Sequence, residues 1–510
     1  MQTFENPILP GFYPDPSVCR VDEDYYLVTS TFAYFPGVPI FHSKDLVHWK
    51  QIGNVLTRDS QLPLANTEVS QGIFAPTIRY NDGIFYMITT NVSGGGNFIV
   101  TAKNPAGPWS EPFFLEGAVG IDPSLYFENG KCYYHGTCEK PDGKYYGDND
   151  IYLQELDLKE MKLVGERHVI WHSALKNAVW PEGPHIYKKG DWYYLLISEG
   201  GTGHEHAITV ARSKTLTGYY EGHKSNPILT HRHLGRDYPI VNVGHSDLVE
   251  TQHGEWWAVL LASRPYGGRY RNLGRETFLV PVAWEDDWPV FNYGVGLVRS
   301  TERFPDLPPV TFHQRTSFDF TGASKLPINL LHLRNPIPDD HKLDTDGLHL
   351  RLNKNKIIEK ESVSYLCVRQ QHKSFEVVAK MQFSPKNENE CAGLVIFQSR
   401  KFHYQFVQTK DLIKIIKCEN EVLTTLYESP IVNSDKPLYL RVCAKEQVME
   451  FTFGTDAVSD TDILLSVDAR MLSTDVAGGF VGNTIGMYAS SNGEDSDNRA
   501  LFSIFEYKAF

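Results

Sequence analysis

Residues 13–17 read YPDPS, and versions of this phrase return as IFAPT at 73–77, GIDPS at 120–124, PEGP at 181–184 and VGHSD at 243–247. An aromatic pair follows each one: Tyr25-Tyr26, Phe85-Tyr86, Tyr133-Tyr134, Tyr193-Tyr194 and Trp256-Trp257. Between phrase and pair lies a turn signal, such as NDG at 81–83, ENG at 128–130 or KGD at 189–191. Asp15, Ala75, Asp122, Glu182 and His245 hold the equivalent position, spaced 60, 47, 60 and 63 residues apart. Short period-2 strands joined by such turns, as at 24–30 and 191–198, make a meander. A meander repeated at this period predicts a propeller. Five blades around one axis would turn all five of those residues toward it, and three carboxyls would share one pocket.

Working outward, the repeat fades after Tyr293, and a proline-rich bridge, FPDLPP at 304–309, follows. Strands continue beyond it without the repeat, at 347–352, 375–383, 392–397, 438–442 and 503–510. Short alternating strands at regular spacing predict a β-sandwich. The expected fold class is all-β: a five-bladed β-propeller over 1–303, a linker over 304–312 and a C-terminal β-sandwich over 313–510. No amphipathic helix is expected in the first 300 residues.

A chain of 510 residues exceeds one ordinary core, which agrees with two domains. Its 41% hydrophobic and 22% charged content is that of a folded, soluble protein. A net charge of −13 with no basic stripe argues against nucleic acid or an anionic membrane as partner. Seven scattered cysteines predict reduced thiols rather than a disulfide framework or zinc site. Nothing in the first thirty residues reads as a signal peptide and no apolar run spans a bilayer, so a cytoplasmic protein is expected, unless a leader was removed. A homo-oligomer stays open.

Carboxyls crowded together cannot all ionise at neutral pH, so one of them is pushed up. A protonated carboxylic acid beside an ionised carboxylate is the minimum apparatus for cleaving a glycosidic bond. Glu182 is one methylene longer than the aspartates and stands between Trp180-Pro181 and Gly183-Pro184, surroundings that favour a neutral proton donor. Taken singly, an Asp-Pro-Ser phrase is more often a turn or cap. Five turn caps would resemble one another, however, whereas these positions vary as Asp, Ala, Asp, Glu and His. Other signals carry less: Gly94–Gly96 lacks the rest of a phosphate loop, His204 and His206 have the wrong spacing for a helical zinc pair, and 142–150 lacks the rhythm of a calcium hand.

The chain resembles glycoside hydrolase family 43, in its β-xylosidase and α-L-arabinofuranosidase group. The resemblance runs over both domains and is carried by NPILPGFYPDP at 6–16, PGVPIFHSKDL at 36–46, GIFAP at 72–76, GIDPS at 120–124, PEGP at 181–184, GHSDL at 244–248 and LGRET at 273–277. It implies an inverting enzyme in which Asp15 is the general base, Glu182 the general acid and Asp122 the residue that holds up the pKa of that acid. Inversion would set base and acid roughly 6.5–9.5 Å apart. The resemblance also implies substrate contacts from Phe32, Phe74, Ala75 and Arg275. For Arg275 an inter-blade ion pair is the plainer reading. His245 either holds Glu182, organises water or a cation on the axis, or simply packs. Phe480 either reaches over the pocket from the second domain or is buried in its own strand. No cofactor is required; a divalent cation such as calcium in the propeller channel stays open. The expected substrates are xylo- or arabinoxylo-oligosaccharides, with β-D-xylosidase activity first and α-L-arabinofuranosidase second. A non-catalytic carbohydrate-binding propeller is the rival of another class.

Overall fold

A computed structural model describes residues 2–312, 316–431, 436–456 and 463–510. The first 300 residues form five antiparallel blades, four of them four-stranded and the fourth along the chain five-stranded. Their innermost strands are Ser17–Val21, Thr77–Asn81, Ile121–Glu128, Glu182–Lys189 and Val241–Glu250, each overlapping one of the repeated phrases. The aromatic pairs begin or lie near the start of the second strands, and one ring of each pair enters the core between neighbouring blades: Tyr25, Phe85, Tyr134, Tyr194 and Trp257 are all essentially buried. The only helical element described in this domain is a single 3-10 turn, Arg232–Leu234. A ribbon of Thr3–Glu5 against Thr301–Arg303 closes the ring, and Asn6 exchanges two hydrogen bonds with the backbone of Leu279 on the fifth blade.

The second domain is a sandwich of two antiparallel sheets. In the outer sheet, Ser374–Gln382 alternates buried and half-buried residues, as a strand with one core face should. In the other sheet, Cys391–Ser399 and Thr484–Ser490 are buried almost throughout. That sheet has apolar partners on both faces: the sandwich core on one, and Phe12, Tyr34 and Val69 of the propeller on the other. The propeller even supplies its edge strand, since Tyr34–Phe35 pairs with Leu331–Leu333. The bridge after residue 303 is equally integrated, with Phe304 and Leu307 buried against Phe4 and Trp257. The expected start of the sandwich at residue 313 lies outside the described residues; its first strand is Ser317–Asp319.

Two to five residues beyond each of the equivalent positions, a second tier of polar groups crosses the axis. Asp247 accepts from Ser17 Oγ (2.6 Å), Arg79 Nη1 (2.8 Å) and Nη2 (3.2 Å), and Tyr187 OH (2.6 Å). His185 Nδ1 lies 2.9 Å from Arg79 Nη2 and 3.1 Å from Ser124 Oγ. Every blade contributes: Ser17, Arg79, Ser124, His185 with Tyr187, and Asp247. A buried carboxylate is stable only when paired and hydrogen-bonded, and this one has all its lone pairs engaged. Arg79 and its neighbours hold Asp247 far below the usual carboxylate range although burial acts the other way.

Candidate active site

Above that tier the strands begin with irregular backbone. Asp15, Asp122 and His245 all have φ near +50°, and the ladders shift register between Ile121 and Ser124, Glu182 and His185, and Gly244 and Ser246. Bulges of this kind re-aim side chains at strand ends, and strained residues persist only where surrounding structure holds them. Here they turn the phrase residues inward. Glycine is needed beside them: a Cβ on Gly120 would lie 1.7 Å from the Thr137 carbonyl oxygen, and one on Gly244 would lie 2.1 Å from the His206 ring.

One pocket on the axis is lined by Asp15, Phe32, Phe74, Ala75, Asp122, Glu182, His245, Arg275 and Phe480, all nine of the residues expected from sequence, together with Ile121 and Thr202. Arg275 Nη1 donates to Asp15 Oδ1 (2.8 Å) and to Thr202 Oγ1 (3.0 Å), and Ser30 Oγ donates to Asp15 Oδ2 (2.6 Å). Arg275 is therefore a pocket residue, and the ion pair it makes is inside the site. Its neighbour Glu276 points the other way, accepting from Arg264 and from the Gly11 N–H. The His245 ring lies beside Asp15, with Nδ1 4.0 Å from Oδ1, while a Cβ on Gly183 would come within 3.0 Å of the same ring. Behind it His206 is buried, which pushes its imidazole down to about 3 and keeps it neutral.

The three carboxyls experience opposite fields. Burial alone would raise Asp15, but the Arg275 guanidinium, the His245 ring and the Ser30 hydroxyl outweigh it and leave Asp15 below its ordinary value. Asp122 is raised, by burial first and also by the charge of Asp15, while His245 and the Gly183 N–H (3.0 Å) work against the rise. Glu182 is raised furthest: burial, Asp122 and Asp15 all act in one direction and only distant Arg275 opposes them. The site thus holds an ionised carboxylate and a protonated one around a single small space.

Three phenyl rings wall that space. Phe32 and Phe480 are near parallel with centroids 6.2 Å apart, and Phe74 meets both edge-on at 5.8 and 5.9 Å. Phe480 comes from the sandwich. Its N–H donates to Ser70 Oγ (2.9 Å), and Gly482 beside it touches Gly274, where a Cβ would lie 2.6 Å from the Gly482 nitrogen. The reading of Phe480 as a residue that reaches over the pocket is the one this placement supports. Thr202 and Ser30 escaped the sequence reading because neither sits in the repeated phrase. Thr202 lies in the loop between the second and third strands of the fourth blade, the same connection that carries Arg275 in the fifth.

Arg79 already neutralises Asp247, and among the described residues no three His, Cys, Asp or Glu side chains gather into a metal-binding group. All seven cysteines are unpaired thiols, as expected.

The sequence profile described as Glycosyl hydrolases family 43 matches residues 4–289, and that of the beta xylosidase C-terminal concanavalin A-like domain matches 317–508. The chain is 49% identical to a xylosidase/arabinosidase of Butyrivibrio fibrisolvens over 98% of both chains. It is 41% identical to a non-reducing end α-L-arabinofuranosidase of Bacteroides ovatus, covering 99% of this chain and 95% of the relative. The crystal structure of a xylan β-1,4-xylosidase from Bacillus halodurans superimposes with a TM-score of 0.92 at 35% identity, over 99% of this chain and all of that one.

Proposed function

The chain belongs to glycosyl hydrolase family 43, and on that premise we propose that it is an exo-acting, inverting glycosidase. It removes single pentoses from the non-reducing ends of xylo- and arabinoxylo-oligosaccharides, as a β-D-xylosidase first and an α-L-arabinofuranosidase second. The observation that carries this reading is the opposed protonation of Asp15 and Glu182 around one pocket. The Glu182 carboxyl gives its proton to the glycosidic oxygen as the C1–O bond breaks. The Asp15 carboxylate takes a proton from the water whose oxygen bonds to C1 from the opposite face. Asp122 keeps Glu182 protonated through its own charge and fixes the following peptide by accepting from Gly183 N–H. Arg275 and Thr202 offer donors to sugar hydroxyls, and the three phenyl rings offer flat apolar surface to the sugar C–H faces.

The names of the relatives support both pentosidase activities, since one relative carries both in its name and others carry one. A binding-only propeller would have no use for one raised and one lowered carboxyl. The test is hydrolysis of p-nitrophenyl β-D-xyloside and α-L-arabinofuranoside by the wild type and Glu182→Ala, with product analysis on xylotriose and arabinoxylan oligosaccharides. Loss of turnover in the variant, with xylose released one unit at a time and first appearing as the α-anomer, is the expected result. Undiminished turnover in Glu182→Ala would refute the assignment of the acid.

A further inference from the structure

Glu182 begins the inner strand of the fourth blade, yet the peptide groups on both sides of it are held by the third. The Thr137 hydroxyl donates to the Pro181 carbonyl oxygen (2.5 Å), and the Gly183 N–H donates to Asp122 Oδ2 (3.0 Å). Thr137 stands on the second strand of the third blade, where it pairs with Ile121, the residue before Asp122. One short piece of ladder therefore carries both the hydroxyl and the carboxyl that bracket Glu182. Thr137 and Pro181 are both buried.

The direction of the hydroxyl follows from its neighbours. A threonine hydroxyl has one proton to give. Asn149 Nδ2 donates to Thr137 Oγ1 (3.4 Å), and a carbonyl oxygen can only accept, so the hydroxyl proton lies toward Pro181. The residues leading up to Pro181 are gripped as well. Trp180 has φ +48°, a value that persists in a non-glycine residue only where its surroundings hold it. Its N–H donates to the Gly147 carbonyl oxygen (2.7 Å), and the Gly200 N–H donates to the Val179 carbonyl oxygen (2.8 Å). The indole lies between Gly147 and Gly201, which occupy the same connection, from second to third strand, in adjacent blades. A Cβ on either glycine would lie 2.7 Å from the indole. Tyr146 closes a further side edge-on, with centroids 5.5 Å apart.

We propose that Thr137 is a positioning residue for the general acid, its hydroxyl holding the Pro181–Glu182 peptide so that the Glu182 carboxyl keeps its place in the pocket it shares with Asp122. The inference rests on the proposed glycosidase reading and deepens it. A proton donor acts only within hydrogen-bond reach of the leaving oxygen, and a misplacement of about 1 Å can cost orders of magnitude in rate. Without the hydroxyl, the Pro181 carbonyl would be a buried acceptor lacking its partner, and the peptide would turn to find another. The Glu182 side chain would turn with it.

The experiment compares kcat/KM on xylobiose, whose leaving group needs a proton, with kcat/KM on 2,4-dinitrophenyl β-D-xyloside, whose leaving group needs none. The ratio of the two does not depend on how much of a preparation is folded. Thr137→Val puts a methyl where the hydroxyl stands, and Thr137→Ser keeps the hydroxyl. In Thr137→Val the ratio should fall about tenfold, chiefly through kcat on xylobiose, whereas Thr137→Ser should stay within about twofold of the wild type. An unchanged ratio in Thr137→Val overturns the proposal, because both activities would then share a merely structural loss. A fall in Thr137→Ser as large as that in Thr137→Val also overturns it, since the hydroxyl would not be what matters. A wild type that hydrolyses neither substrate overturns the glycosidase reading itself, and this role with it.

Discussion

The propeller axis carries two tiers of polar residues that are only two to five positions apart in sequence, and they are built on opposite terms. In the lower tier one carboxylate, Asp247, meets one guanidinium, Arg79, and every oxygen is satisfied. In the upper tier three carboxyls share one guanidinium, and burial, together with the charges of Asp122 and Asp15, raises Glu182 well above its ordinary value. The backbone follows the same division. The lower residues sit in strand, whereas Asp15, Asp122 and His245 of the upper tier stand at positive φ and the ladders shift register beside Asp122, Glu182 and His245. The same geometry therefore holds the blades together in one layer and stores reactivity in the next, and what separates them is the count of charges rather than their proximity.

Four changes would break or sharpen that division. Glu182→Gln should lower kcat on xylo-oligosaccharides by about 10³-fold, the usual worth of a positioned general acid. It should also raise Tm at pH 7. A carboxyl whose folded pKa lies above its unfolded value subtracts stability once pH exceeds the unfolded value, and the amide removes that cost. Asp247→Asn should do the reverse. It leaves Arg79 buried without a counter-charge, so chemical denaturation should show a loss of about 3–5 kcal/mol, while the limbs of the pH–rate profile stay where they are. The wild type should show the matching acid sensitivity. Asp247 has a depressed folded pKa, so its contribution is present above the unfolded value near 4 and disappears as pH falls through and below it.

Arg275→Met should move the acidic limb of kcat/KM upward by about one to three units, because burial then raises Asp15 against only the weaker pull of the His245 ring and the Ser30 hydroxyl. A limb that does not move would place the control of Asp15 elsewhere. The smallest effect is expected at the domain junction. Gly482→Ala would drive a methyl to 2.4 Å from the Leu273 carbonyl oxygen and shift Phe480 off the pocket. Steady-state kinetics should show kcat/KM down by about tenfold, chiefly through KM, with a stability loss of about 1–3 kcal/mol. An unchanged KM would show that the sandwich only braces the propeller.

The upper tier was legible in the sequence because it stands at one position of a repeat and varies there, which is what divided labour looks like. Asp247 lay in the fifth phrase in plain view, but its partner Arg79 could not be inferred. It sits four residues beyond Ala75, and it reaches the axis only because the register of the inner strands brings it there. Arg275 is outside the repeat and was reached through the resemblance of LGRET alone. Phe480, Thr202 and the Trp180–Tyr146 pair depend on loops and on domain docking, where no periodicity constrains the chain. The same holds for Tyr34–Phe35, a strand of two residues, too short to show alternation, whose partner lies about 300 residues away.

The opposed protonation of Asp15 and Glu182 is tested most directly by the pH dependence of kcat/KM. The wild type is assayed on xylobiose, whose leaving group needs a proton, and Glu182→Gln on 2,4-dinitrophenyl β-D-xyloside, whose leaving group needs none. The wild type should give a bell whose limbs belong to the interacting acids as a group, and Glu182→Gln should keep the acidic limb and lose the basic one. A bell that survives Glu182→Gln with both limbs intact would mean that the protonated carboxyl is not on Glu182, and the division of labour described here would be wrong.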